Sequence, residues 1–150
     1  MKELTGNASA TTAASPTQCL ALLEAIDEYP SWAGDIVREA EVLERDGAGH
    51  PTRARAKLHV ERGPLTRDFD LLFDVKVDAG GTVALSRVPH QASDKERFDV
   101  TWRVSGAGSA RIELQLGANL DVPRLVPLGG VGDSMAADLV NAATRALASP

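Results

Sequence analysis

The stretch SPTQCLALLEAIDEYPSW, residues 15–32, organises the interpretation of the whole chain. Ser15 is a good helix N-cap, and Pro16 suits the first helical position, where its missing N–H is no loss. Pro30 disfavours helical geometry at the preceding Tyr29, so the helix is expected to end or bend there. Apolar residues recur on one helical face, at Cys19, Leu22, Leu23 and Ile26. The stretch therefore predicts one helix that stops at an aromatic–proline elbow and packs on a larger element.

Period-two alternation dominates the region that follows the elbow. Between residues 53 and 61 every second residue is apolar and the others are charged or histidine, and residues 68–77 largely repeat this pattern. Turn signals separate the alternating segments, among them Asp46-Gly47, and a weaker edge strand over residues 4–14 precedes the helix. One-faced alternation predicts an antiparallel, hairpin-connected sheet that is buried on one side and solvated on the other.

A second helix is predicted near the end of the chain. Asp133 or Ser134 is suited to its N-cap, and the glycines that come before them weaken an earlier start. The positions predicted to face the sheet are Met135, Leu139, Val140, Ala142, Ala143, Ala146 and Leu147. The apolar face of the sheet needs a larger cover than the first helix, and this second helix would provide it.

Composition narrows the class of protein. With 150 residues, 43% of them hydrophobic, the chain is expected to form one domain over residues 1–150. A formal net charge of -5 argues against a nucleic-acid partner.

The first residues lack the apolar core of a signal peptide and no run is long enough to span a membrane, so we expect a cytoplasmic protein of bacterial type. Cys19 lies on the apolar face of the first helix and is expected to be an unreactive, buried thiol.

Four local motifs occur in an order that belongs to one group of proteins. They are the Ser15-Pro16 helix start, the Tyr29-Pro30-x-Trp32 elbow, the hairpin sequence VLERDGAGHPTR at residues 42–53, and Trp102 in a late strand. Together they resemble the bacterial members of the START-like superfamily, also called SRPBCC, which includes polyketide cyclases, dehydrases and lipid-transfer proteins. The resemblance covers nearly the whole chain, but the superfamily places unrelated activities on one scaffold.

The resemblance implies an α+β helix-grip fold. A curved antiparallel sheet of about seven strands would wrap around the long C-terminal helix, with two short helices after the first strand and a hydrophobic cavity between sheet and helix. Small residues such as Ala54, Ala56 and Ala142 fit such a cavity, although they would equally let the helix approach the sheet closely. The residues predicted to line the cavity are Tyr29, Trp32, Leu58, Phe69, Leu71, Phe73, Leu85, Phe98, Trp102, Met135 and Leu139.

The function predicted from this resemblance is binding or transfer of a small hydrophobic ligand, such as a lipid, a quinone or a polyketide-like compound, by a monomer or homodimer. No catalytic, metal-binding or cofactor-binding motif is recognisable, so no cofactor is predicted and binding without catalysis is favoured over an enzymatic role. Arg87 and Arg103 are the candidates for polar side chains inside the cavity, which a polyketide cyclase or dehydratase would need. A third alternative is a toxin-like protein that contacts the ribosome through the basic residues of segment 52–60. The scattered histidines, expected to be solvated, are His50, His59 and His90.

Overall fold

The computed structural model describes residues 1–123 and 125–148. The elements in chain order are β1 (Lys2–Thr12), α1 (Pro16–Glu24), a 3-10 turn (Ile26–Glu28), α2 (Tyr29–Trp32), β2 (Val37–Arg45), β3 (Pro51–Arg62), β4 (Leu65–Asp78), β5 (Thr82–Arg87), β6 (Arg97–Ser105), β7 (Ala110–Leu120) and α3 (Val131–Ala148). The strands form one antiparallel sheet in the order β1-β7-β6-β5-β4-β3-β2. This is the α+β helix-grip fold that the sequence predicts.

The sheet curves around α3. The helix packs mainly on β1, at one edge of the sheet, and also contacts β7 and β3, although β3 lies next to the opposite edge. A flat sheet could not bring strands so far apart to the same helix. Alternation along β3 and β4 places the apolar side chains inside, and Ala54, Leu58 and Phe73 are all buried there. The predicted one-faced sheet is therefore confirmed.

The hairpin between β2 and β3 has the turn that the sequence predicts. The Asp46 carboxylate accepts hydrogen bonds from the backbone N–H groups of Ala48 and His50, at 2.9 and 3.0 Å. Gly49 has a positive φ of 88°, a left-handed conformation that costs glycine little. The side chain of Asp46 thus closes the turn, and Pro51 begins the return strand.

The first helix begins as predicted and ends earlier. Ser15 caps α1 in a capping box with Gln18, in which each side chain accepts from the other residue's backbone N–H. The helix stops at Glu24, and Ala25 leaves the helical region with ψ at 68°. The prediction of one helix as far as Tyr29 is wrong. Tyr29 itself is helical and starts α2, where a proline in the first turn is tolerated because that N–H has no helical partner.

The C-terminal helix begins earlier than predicted. It starts at Val131, so Asp133 and Ser134 lie in its first turn and neither is the N-cap. The Asp133 carboxylate instead accepts a hydrogen bond from the backbone N–H of Asn7 in β1, at 3.0 Å. This contact ties the start of α3 to the edge strand. Among the predicted inward positions, Met135, Leu139, Val140, Ala142 and Ala143 are buried and Ala146 and Leu147 are half-buried.

Candidate functional site

A small cavity lies between the inner face of the sheet and α3. Its volume is about 50 Å³, which is well below the roughly 300–1,000 Å³ of pockets that enclose drug-sized ligands. The surface of the cavity is apolar. Its lining comes from the elbow and the turn before it, from the six strands β2 to β7 and from α3: Ile26, Tyr29, Ile36, Val37, Ala56, Leu58, Phe73, Leu85, Phe98, Val100, Trp102, Leu116, Met135 and Leu139. In the described conformation the cavity is therefore too small for a drug-sized ligand.

Eight of the eleven residues predicted to line the cavity do so: Tyr29, Leu58, Phe73, Leu85, Phe98, Trp102, Met135 and Leu139. Phe69 and Leu71 are buried in β4 outside this lining. Phe69 packs against Phe98 at a centroid distance of 5.5 Å, and the Arg67 guanidinium lies 4.5 Å from the centroid of its ring. Trp32 lines a cleft on the outside of the molecule instead.

Six lining residues were not in that set of eleven: Ile26, Ile36, Val37, Ala56, Val100 and Leu116. Of these, Ala56 is one of the small residues that fit a cavity on sequence grounds. The hydrophobic pattern of the sequence points inward for most of them. Val100 and Leu116 lie on apolar faces that the alternation identifies, and Ile26 lies on the apolar stripe of the first helix. Ile36 and Val37 follow the elbow in a mixed segment, and only pairing of Val37 with Leu58 places them at the cavity.

An aromatic cluster forms one end of the cavity. The Tyr29 and Trp32 rings lie 4.9 Å apart between centroids, and Trp32 meets Trp102 edge to face at 6.4 Å. The Tyr29 hydroxyl donates a hydrogen bond to the backbone oxygen of Leu23 at 2.5 Å. Leu23 O is one of the last carbonyls of α1, which have no partner within the helix, so the tyrosine acts as a side-chain cap for the helix end.

Burial of this cluster changes the properties of its polar atoms. Burial raises the pKa of the Tyr29 phenol well above its ordinary value, an effect that the neighbouring Trp102 indole partly offsets. The indole nitrogens of Trp32 and Trp102 are both buried. That of Trp102 lies against the Tyr29 hydroxyl, whereas that of Trp32 has no hydrogen-bond acceptor within residues 1–123 and 125–148. A buried donor without an acceptor costs about 1–3 kcal/mol, so the Trp32 indole N–H would gain from an added acceptor.

A polar cleft of about 390 Å³ lies outside this cavity. It is bounded by residues 30–36, by Arg62 at the end of β3, and by the α3 positions Asp138, Leu139, Asn141, Ala142 and Arg145. Arg62 and Asp138 form an ion pair between β3 and α3. Ile36 and Leu139 line both the cavity and the cleft, so these two side chains form part of the wall between them.

The two arginines considered for the cavity do not line it. Arg103 is exposed on the outer face of β6. Arg87 is largely buried, but its guanidinium donates to the Asp94 carboxylate at 2.6 Å and to the Glu96 backbone oxygen at 2.9 Å. The Arg87 hydrogen bond is the main reason that the pKa of Asp94 is strongly lowered. The expectation of an inward-pointing polar side chain is thus wrong for Arg103. Arg87 lies on the inner face, opposite Phe73, but at the end of β5, where its carboxylate and carbonyl partners hold the guanidinium outside the cavity lining.

The basic stripe on β3 is matched by acidic residues. Arg53 donates to Asp74 at 2.8 Å, and Arg55 makes two hydrogen bonds to Asp70, at 2.8 and 2.5 Å. Lys57 lies 3.5 Å from Glu39 of β2. Arg53, Arg55 and Lys57 therefore face carboxylates on neighbouring strands, and this surface has no excess of positive charge.

Two of the three histidines, His50 and His59, lie beside carboxylates. His59 Nδ1 lies 2.6 Å from the Asp68 carboxylate, and His50 Nδ1 lies 3.2 Å from Glu24. Within the described part of the chain, no group of three or more His, Cys, Asp or Glu side chains is arranged to hold a metal ion.

No helix among the described residues is long and apolar enough to cross a bilayer.

Comparison with solved structures identifies the fold. A START superfamily protein from Mycobacterium smegmatis superposes with a TM-score of 0.77 at 14% identity, over 95% of this chain and 96% of that one. A Thermus thermophilus protein gives 0.73 at 16% identity, over 95% and 96% of the two chains. An aromatase/cyclase from a Streptomyces species gives 0.70 at 15% identity, over 97% and 94%.

The chain therefore has the START-like, or SRPBCC, fold that its motifs predict. The identities are too low to carry a substrate or an activity from any of these proteins to this chain. No family model matches the sequence, and no curated protein sequence matches it.

Proposed function

We propose that this protein binds a small hydrophobic molecule, such as a lipid, a quinone or a polyketide-like compound, in the cavity between the sheet and α3. The observation that carries the proposal is the cavity itself, an apolar space between the sheet and α3. Protein interiors are close-packed, so an apolar space at this position supports a binding role.

Ligand entry requires the cavity to open. At about 50 Å³ it has room for only a few methylene groups, whereas the adjoining cleft of about 390 Å³ is open to solvent. Outward movement of Ile36 and Leu139 would join the two spaces, because both residues line both. We propose this route as the entrance, with α3 moving relative to residues 30–36.

The polyketide cyclase alternative has less support. Folding and dehydrating a poly-ketone needs polar groups that can hold or move protons. Tyr29 contributes the one ionisable side chain of the lining, and its hydroxyl proton is already engaged with Leu23 O. The arginine candidates lie elsewhere. The ribosome-contacting alternative is weakened in the same way, because the carboxylates beside Arg53, Arg55 and Lys57 neutralise the surface it would use.

The experiment is a ligand screen with a matched pair of variants. Fatty acids, quinones and aromatic polyketides are added to the wild-type protein, and the melting temperature and tryptophan fluorescence are measured. A ligand that binds the folded state raises the melting temperature in proportion to the logarithm of its excess. Binding beside Trp102 should also change its emission.

Ala56→Val adds two carbons inside the cavity, whereas Ala84→Val adds them on the half-buried outer face of β5. We expect Ala56→Val to weaken ligand binding at least several-fold and Ala84→Val to leave it unchanged. The proposal is wrong if no compound in the panel shifts the melting temperature, or if both variants bind as the wild type does.

A further inference from the structure

Trp32 lies where the apolar cavity and the polar cleft meet. It lines the cleft, while its ring packs on Tyr29 and Trp102, which line the cavity. A ligand that occupied both spaces would pass Ile36 and Leu139, which line the cleft together with Trp32. Trp32 is therefore placed to contact the point at which a bound molecule changes from apolar to polar.

The cleft has the chemistry of a site for an uncharged polar group. Its polar lining consists of Ser31, Asp35, Arg62, Asp138, Asn141 and Arg145. Two carboxylates and two guanidinium groups give a formal charge of zero, and Arg62 is paired with Asp138. This balance offers hydrogen bonds without a net field that would attract an anion.

The Trp32 indole N–H is a hydrogen-bond donor that lacks an acceptor. Its Nε1 is buried in the closed conformation and has no hydrogen-bond acceptor among the described residues. Movement of Ile36 and Leu139 would uncover this end of the aromatic cluster. A ligand oxygen that accepted the indole proton would remove the cost of the unpaired donor and would add a hydrogen bond.

We infer that the ligand is an amphiphile whose apolar body enters the cavity and whose uncharged polar end, bearing a ketone or ester oxygen, lies in the cleft and accepts a hydrogen bond from Trp32 Nε1–H. This inference rests on the proposed function, because it assigns the polar part of the same ligand. Trp102 is the less suitable donor, since its indole lies against Tyr29 and is only 1% exposed.

A thermodynamic cycle tests the assignment. The probes are a straight-chain methyl ketone and the alkane of equal length, and the proteins are the wild type, Trp32→Phe and, as the matched control, Trp102→Phe. Each substitution keeps an aromatic ring and removes one indole N–H. Comparing the ketone-to-alkane affinity ratio between proteins cancels the different hydration of the two probes.

We expect Trp32→Phe to lower the ketone-to-alkane ratio by about tenfold, the equivalent of about 1.4 kcal/mol, and Trp102→Phe to leave it unchanged. Equal ratios in all three proteins, or a loss confined to Trp102→Phe, would overturn the inference while leaving cavity binding intact. Failure of both probes to bind any of the proteins would count against the proposed function itself.

Two further measurements keep the inference testable if Trp32→Phe folds poorly. In the wild type, the ketone and not the alkane should shift the indole N–H resonance of Trp32 downfield in a nitrogen-15 NMR spectrum; an unmoved resonance would contradict the assignment. A fatty acid at neutral pH should bind less tightly than its methyl ester, and the reverse order would show that the cleft prefers an anion.

Discussion

Gly6 of β1 and Gly132 of α3 pack backbone against backbone. A Cβ atom built on Gly6 would lie 2.1 Å from the carbonyl carbon of Gly132, and one built on Gly132 would lie 2.1 Å from the backbone oxygen of Thr5. Neither contact is physically allowed, so this crossing tolerates no side chain on either residue. The hydrogen bond from Asn7 N–H to Asp133 lies beside it. Together these contacts set how closely the start of α3 approaches the sheet.

Gly6→Ala should therefore destabilise the protein by about 1–3 kcal/mol or more, because the helix must move away from β1. Gly117→Ala is the matched control, since Gly117 lies in the neighbouring strand β7 and a Cβ there would meet nothing within 4 Å. Thermal or urea unfolding measures both. Similar stability of the two variants would contradict the close packing of Gly6.

Tyr29→Phe tests the capping of α1. The substitution keeps the ring in the aromatic cluster and removes the hydroxyl that donates to Leu23 O, so a buried carbonyl loses its partner. We expect a loss of about 1–3 kcal/mol in the free energy of unfolding. Ser31→Ala is the control, because it removes an exposed hydroxyl that donates to Glu28 O. A loss no larger than that of Ser31→Ala would mean that water replaces the tyrosine hydroxyl.

Leu139→Ala separates stability from ligand entry. Leu139 is 8% exposed and lines both the cavity and the cleft, whereas the neighbouring Val140 is 1% exposed and lines neither. Truncation of Leu139 should cost about 2–5 kcal/mol, and Val140→Ala should also destabilise the fold. Stopped-flow fluorescence should show faster ligand association for Leu139→Ala alone. Equal association rates in both variants would place the entrance elsewhere.

The His59–Asp68 pair predicts a pH dependence. The hydrogen bond from Asp68 is the largest cause that raises the pKa of His59 above its ordinary value of 6.5. A group with a raised folded-state pKa stabilises the fold fully below its unfolded pKa and loses that effect as the pH rises through the folded value. NMR titration of the His59 ring should give a pKa above 6.5 that falls in Asp68→Asn. An unchanged value in that variant would show that the pair does not form in solution.

Much of the fold could be predicted because its signals are local. The faces of β3 and β4 follow from residues two apart, and the Ser15 capping box is complete within four residues. The end of α1 could not be predicted this way. Pro30 predicts where a helix must stop, but α1 already ends at Glu24. There the hydroxyl of Tyr29, from the next segment, donates to a backbone oxygen at the helix end and caps it.

The candidate site was predictable in part for the same reason. Eight lining residues lie on apolar faces that period and spacing reveal, so their inward direction follows from the sequence. Trp32 belongs to the same motif as Tyr29, yet it lines the cleft instead of the cavity. The side of the elbow on which the Tyr29 and Trp32 rings lie depends on the position of Trp102. Trp102 is seventy residues further along the chain than Trp32.

The sequence by itself determined the order of helices and strands and the faces that turn inward, because alternation, capping and turn formation act between near neighbours. Only the tertiary structure decided how much space remains inside. The size of the cavity depends on how closely α3 approaches β1 at Gly6 and Gly132, and the cleft depends on Arg62 meeting Asp138. Such distances result from the packing of many side chains that are remote from one another in the sequence, and no local pattern encodes them.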